Sequence, residues 1–173
     1  MSAISSTQTK HKVIFDTDPG VDDAMALYFA LAHKDIDIVG ITTTFGNVYV
    51  EQATINALYL TRIAGRRIPV AQGVNVPFAK AAGTPPDFIH GADGLGNLPS
   101  RIDVGGKAEI ESAAEFIVKM ARQYPGEITL VAVGPLGNLG LALKMESQLP
   151  KLLKKVVLMA GAVDEPGNVS PVA

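Results

Sequence analysis

Strand-like and helix-like runs alternate along this chain, and the alternation narrows the fold more than any other feature. KVIFDT (12–17) is β-rich and stops at Pro19-Gly20. DDAMALYFALAH (22–33) then reads as a mostly buried helix with acids in its first turn, and Met25 and Phe29 are core candidates. IDIVGITTT (36–44) is a second strand, almost continuously apolar or β-branched. EQATINALYLTRIAG (51–65) repeats Ala53, Ala57, Leu60 and Ala64 at helical spacing, and Gly65 suits its C-cap. RIPVAQG (67–73) is a third short strand.

A long irregular stretch follows, from Val74 to about Lys107, rich in Gly and Pro; segments of that kind are functional loops or disordered. ESAAEFIVKMARQY (111–124) is the clearest amphipathic helix, with Ala113, Phe116, Ile117 and Met120 on one face, and Pro125-Gly126 ends it. EITLVAV (127–133) is a strand, GPLGNLGLALKM (134–145) turns into a helix, and KKVVLMAGA (154–162) is the last strand. Such alternation predicts an α/β fold: a mostly parallel central sheet, Rossmann-like and open, flanked by helices on both faces. The chain divides into a short frayed tail, 1–12, and one domain over 13–173, with no repeat and no linker.

In open parallel sheets, ligands sit outside the carboxyl ends of the strands. The expected strand ends deliver Asp16 to Asp23, Thr43 to Asn47, Val133 to Asn138 and Met159 to Asn168, so the polar, glycine-containing stretches gather on one rim. The first of them, DTDPGVDD (16–23), holds four carboxylates. First-turn acids stabilise a helix by roughly 0.3–1 kcal/mol each, which accounts for Asp22 and Asp23 but not for Asp16 and Asp18 as well. Crowded carboxylates repel unless a cation compensates. Oxygen donors suit Ca²⁺ or Mg²⁺, and with Cys 0 and no neighbouring His nothing draws zinc. Asp16 and Asp18 are two apart, so a continuing strand points both to one side.

Composition removes other classes. Hydrophobic residues make up 47% and charged residues 18%, a globular mix. The formal charge of -2, with small basic clusters and no Trp, argues against nucleic-acid partners. No apolar run reaches bilayer length and the polar N-terminus has no secretory core, so no membrane partner and a cytoplasmic location are expected.

DTDPGVDDAMAL (16–27) closely resembles the signature of the inosine-uridine-preferring nucleoside hydrolases. TTTFGNV (42–48), HGADGLGN (90–97), LVAVGPLGNL (130–139) and VVLMAGAVDEPGNVSPVA (156–173) resemble further motifs of that family, in the same order. The resemblance implies hydrolysis of the N-glycosidic bond of a ribonucleoside to ribose and free base. It implies Ca²⁺ held by Asp18, Asp23 and the main-chain carbonyl of Val133, with Asp18 also the base that takes a proton from the attacking water. It implies ribose contacts from Asp22, Asn47 and Asn168, and a pocket wall from Met159. His90 is expected to meet the base or the 5'-hydroxyl, and Asp16 to orient the loop or a ligand of the cation. Asn138 reads as a helix start.

The resemblance covers the N-terminal portion of the family. Its later Glu-Phe-Asn segment and His-Asp pair have no counterpart before the chain stops at GNVSPVA (167–173). A weaker cation site, no evident donor for the leaving base, and an uncovered sheet edge or apolar face are therefore expected. The last favours a homo-oligomer, dimer or tetramer. Two alternatives stand beside the hydrolase: a non-catalytic remnant that binds ribose or nucleoside or serves assembly, and a Mg²⁺-dependent haloacid-dehalogenase-like phosphatase with Asp16 as nucleophile.

Overall fold

The computed structural model describes residues 10–102 and 105–167. Its strands are β1 (His11–Thr17), β2 (Ile36–Thr43), β3 (Val70–Gln72), β4 (Ile128–Ala132) and β5 (Lys155–Leu158). Its helices are α1 (Val21–Ala32), α2 (Val50–Ile63), α3 (Asp87–His90), α4 (Ala113–Gln123), α5 (Gly137–Met145) and α6 (Leu149–Leu152). The strands form one sheet in the order β3-β2-β1-β4-β5, and every pairing is parallel. The expected parallel α/β architecture is therefore present. The chain winds outward in one direction through β1, β2 and β3, then returns to the other side of β1 with β4 and β5. The strand order reverses between β1 and β4, and such a switch point opens a crevice at the carboxyl ends of the two strands.

Period-two alternation in the central strands sorts side chains to two cores. Val13 and Phe15 of β1 join Ile38, Ile41, Ala24, Leu27, Ala57 and Leu60, beneath α1 and α2. Ile14, between them, faces the other way and joins Leu130, Phe116, Ile117, Ala142 and Leu149, beneath α4, α5 and α6. Burying apolar surface contributes on the order of 25 cal/mol per Å², so packing on both faces of β1 and β2 stabilises the sheet. Helix α4 starts where its sequence dictates. Ser112 accepts from the Glu115 N–H at 3.4 Å, and the Glu115 carboxylate accepts from the Ser112 N–H at 2.7 Å.

Several expectations are corrected. β1 begins at His11, one residue before the expected strand, and pairs on both sides: His11 lies opposite Ile36, and Lys12 opposite Ile128. Met25 and Phe29, read as core, are 71% and 69% exposed. With Val21 they form a stripe at four-residue spacing on the side of α1 turned away from Ala24, Leu27 and Ala30, so one side of the helix meets the sheet and the other stays open. The irregular stretch contains the short α3, and α6 precedes β5. All four residues of β5 are exposed, Val156, Val157 and Leu158 at 38%, 41% and 45%. Among the described residues no helix is long and apolar enough to cross a membrane.

Candidate active site at the β1–β4 switch point

The acidic cluster occupies the switch-point crevice. β1 ends at Thr17, the chain turns at Pro19-Gly20, and α1 brings Asp22 and Asp23 back in its first turn. Asp16 is fully buried. Its Oδ1 accepts from Thr42 Oγ1 at 2.5 Å and from Asn138 Nδ2 at 2.7 Å, whereas its buried Oδ2 has no partner among the described residues. Burial pushes its pKa up to about 6 against the opposing pull of those two hydrogen bonds.

Asp18 is 4% exposed. Burial raises its pKa to about 8, with repulsion from Asp23 adding to the rise and a smaller push from Asp16. Its Oδ2 accepts from the Asn47 N–H at 2.7 Å. Two glycines make room for this carboxylate: a Cβ on Gly46 would lie 1.9 Å from Oδ2, and one on Gly134 would lie 2.5 Å from Oδ1. Asp23 is also buried, and its pKa is raised, first by burial and then by Asp22. Its Oδ1 accepts from Thr17 Oγ1 at 2.5 Å, and its Oδ2 accepts from Asn47 Nδ2 at 2.8 Å and from the Gly20 N–H at 3.2 Å. Asp23 thus also serves the end of its own helix, as the structural reading of first-turn acids predicts.

Asn47 therefore touches both carboxylates, its main chain on Asp18 and its side chain on Asp23. His90 reaches over from α3. Its Nδ1 accepts from the Val21 N–H at 3.4 Å and lies 3.8 Å from Asp22 Oδ1, while the Asp22 side chain is mostly exposed. Val133 follows β4 directly, and its N–H donates to Asp16 O at 2.9 Å, which puts it on the same rim. A cavity of about 230 Å³ opens beside this group, lined by Asn47, Gln52, Pro85, Asp87 and Gly91 among others.

Asp16, Asp18, Asp22, Asp23, Asn47, His90 and Val133 thus come together. Met159 follows β5 on the same rim, its N–H on Ala132 O at 2.9 Å, but its side chain is 63% exposed and no described contact ties it to the carboxylates. Asn168 lies outside the described residues.

Asn138 is corrected. The residue preceding α5 is Leu136, whereas Asn138 lies inside the helix, fully buried. Its amide donates to Asp16 Oδ1 and to Thr43 O, and its Oδ1 accepts from the Val74 N–H at 2.9 Å. It fastens β1, β2 and the start of the long loop to α5. Thr17 and Thr42 were also missed. Their only signal is that hydroxyl residues end both strands where apolar ones would be expected.

The family model for inosine-uridine preferring nucleoside hydrolases matches residues 13–173. Uridine nucleosidase 1 of Arabidopsis thaliana is 45% identical over 170 residues, an alignment covering 95% of this chain and 49% of that protein. The inosine-uridine preferring nucleoside hydrolase of Leishmania major is 36% identical over 164 residues, covering 94% and 52%. Among solved structures, a purine-preferring ribonucleoside hydrolase from Gardnerella vaginalis superposes with a TM-score of 0.88 at 37% identity, covering 92% of this chain and 52% of that one. The chain spans about half the length of the curated relatives it matches. With a parallel sheet wound outward from β1, an acid cluster at the point of reversal, and a family match running from the first strand to the last residue, this chain belongs to the inosine-uridine preferring nucleoside hydrolase family.

Proposed function

We propose that this chain carries the ribose-binding and water-activating side of a ribonucleoside hydrolase, which cleaves the N-glycosidic bond to give ribose and a free base. One observation carries the reading: Asp18 is a buried carboxylate set in the switch-point crevice, with Asn47 bonded to it and to the neighbouring Asp23, among groups that suit a sugar.

The donors present fit a hard divalent cation in kind. They are oxygen atoms, they crowd one another, and the carboxylates have raised pKa values that a cation would relieve. They do not complete a shell, since among the described residues no group of three or more His, Cys, Asp or Glu could hold a metal. Asp18, Asp23 and the Val133 carbonyl would hold Ca²⁺, with the remaining positions left to substrate, water or other ligands. When bound, the ion would offset the acids' repulsion and polarise oxygen ligands.

The chain's own residues do the rest. Asp18 takes a proton from water as the water oxygen bonds to C1' and the bond from C1' to the base nitrogen breaks. In the net reaction water supplies hydroxyl to the sugar and a proton to the base. Asp22 and Asn47 bind ribose hydroxyls, together with Asn168, and Met159 lines the ribose pocket. Asn47 holds Asp18 and Asp23 in register, and Asp16 orients the β1 end through Thr42 and Asn138. Negative charge around the ring favours an oxocarbenium-like transition state. His90 approaches the base or the 5'-hydroxyl.

A second reading, in which the chain binds ribose or nucleoside without turnover, needs the same crevice of Asp18, Asp23 and Asn47 but no proton transfer to Asp18. The phosphatase alternative is disfavoured, because Asp16 is fully buried and its Oδ1 is already engaged by Thr42 and Asn138.

Purified protein incubated with inosine or uridine, in CaCl₂ or EDTA, tests the proposal by chromatography of released base. Calcium-dependent release is expected, and Asp18→Asn is expected to reduce it about 10²–10⁴-fold. No release from either nucleoside overturns the catalytic reading. Calorimetric ribose binding without release then supports the second one.

A further inference from the structure

The hydrolase reading does not use three polar residues of the long loop and α2 that meet one another. Asn56 lies on α2, four residues after Gln52, and is fully buried. Its Nδ2 donates to two main-chain carbonyls, Pro19 O at 2.9 Å and Asp93 O at 3.0 Å. One belongs to the turn of the acidic cluster and the other to the loop that follows His90. Its Oδ1 accepts from Arg101 Nη1 at 2.6 Å and from Gln52 Nε2 at 2.9 Å. All the hydrogen-bonding capacity of its amide nitrogen goes into joining these two segments.

Arg101 closes the arrangement. Besides Asn56, its guanidinium reaches Asp93 O at 3.0 Å and Asp93 Oδ2 at 2.8 Å, and stacks over the Tyr59 ring at 5.4 Å. A planar fork can satisfy these partners together, which an ammonium cannot. Asp93 in turn gathers the loop. Its carboxylate accepts from the main-chain N–H groups of Leu95 and Asn97 at 2.8 Å and of Leu98 at 3.0 Å. The Gly96 N–H then returns to His90 O at 2.8 Å. At Gly94 the loop lies against the turn so closely that a Cβ would be 2.8 Å from Asn56 Nδ2 and 3.0 Å from Pro19 O.

We propose that Asn56 and Arg101 are positioning residues that clamp the 90–98 loop onto the Pro19 carbonyl and so hold the His90 imidazole over the first turn of α1. Its role in catalysis rests on the hydrolase reading, but the clamp itself does not. Without it, the His90 ring keeps two long contacts among the described residues, with the Val21 N–H at 3.4 Å and with Asp22 Oδ1 at 3.8 Å.

The test uses isotopically labelled protein, wild type against Arg101→Gln, Arg101→Lys and Asn56→Asp, by NMR. Two quantities are read: the position of the His90 ring and Val21 amide resonances, and the exchange rate of the Leu95, Asn97 and Leu98 amides relative to those of Ile14 and Phe15. In Arg101→Gln and Asn56→Asp, the His90 and Val21 signals are expected to move and the loop-to-strand exchange ratio to rise about tenfold or more. Arg101→Lys should restore the ratio only in part. If the His90 and Val21 signals stay at their wild-type positions, the proposal is overturned, whatever the loop does. A ratio that stays at the wild-type value, including one in a uniformly loosened variant, also overturns it. Arg101 is partly exposed, so its variants remain informative if Asn56→Asp does not fold. Neither readout involves turnover, so failure here leaves the hydrolase reading standing, and an inactive protein leaves the clamp standing.

Discussion

Asp18 shows what burial costs a single side chain. Its carboxylate is buried, walled by Gly46 and Gly134, and faces the charge of Asp23. A buried carboxylate that main-chain N–H groups satisfy only in part is destabilising by about 1–3 kcal/mol. At neutral pH a carboxyl with a folded pKa of about 8 must take up a proton on folding, and Asn keeps an acceptor for the Asn47 N–H without that cost. In EDTA at neutral pH, Asp18→Asn is therefore expected to melt higher than wild type, by roughly 2–4 °C for each kcal/mol relieved. Calcium chloride should raise the wild-type midpoint and leave the variant nearly unchanged. Differential scanning fluorimetry reads both, and a variant that melts lower in EDTA would remove electrostatic strain as the description of this site. Asn47 belongs at the same scale. The sequence reading made it a ribose contact in a turn, and the turn exists, but its two bonds to Asp18 and Asp23 are the part that spacing cannot disclose.

Among the elements, the 90–98 loop depends on one acid. Partial burial pushes Asp93 up, but the bonds from Leu95, Arg101, Asn97 and Leu98 outweigh it and hold its pKa at about 2, below the ordinary 3.8. A carboxyl whose pKa is depressed on folding adds stability that is fully present above its unfolded value and is lost as the pH falls through its folded value. The loop should therefore be well held at pH 4 and above and release progressively between about pH 4 and pH 2. Pepsin works in that range. Cleavage within 91–98 is expected to be slow at pH 4 and to accelerate toward pH 2, whereas Asp93→Asn should be cut readily at both. Equal resistance of the two proteins at pH 4 would count against Asp93 as the loop's anchor. Helix α4 contrasts with this loop, because its cap, its buried face and its stop are all encoded locally, so its extent agrees with the pattern read from the sequence.

For the whole molecule, the decisive feature is asymmetry. β1 and β2 are covered on both faces, whereas β5 is exposed along its length, and Val131 of β4 and Val133 just beyond it are only partly buried. An apolar edge strand with free main-chain groups is a template for pairing. Self-association through β5 is expected, and Val157→Lys, which places a charge on that strand, should weaken it. Sedimentation velocity over a concentration series reads the difference. Identical profiles for the two proteins would remove β5 as the interface.

The alternation of β-rich and helical runs determined the parallel sheet, and the order of the polar strand ends determined that one rim would carry the site. Both follow from local periodicity, which fixes where elements lie and which end of each strand is polar. Tertiary structure alone decided what Asn138, Asn56 and Arg101 do. Their partners lie far away in the chain, Asp16 at 122 residues from Asn138, Pro19 at 37 from Asn56, and Asn56 at 45 from Arg101. No local pattern encodes such distances, because strand order brings these residues together. The open face of α1 has the same origin. An apolar residue every fourth position announces a stripe, but whether the stripe is covered depends on which neighbours the sheet places opposite it.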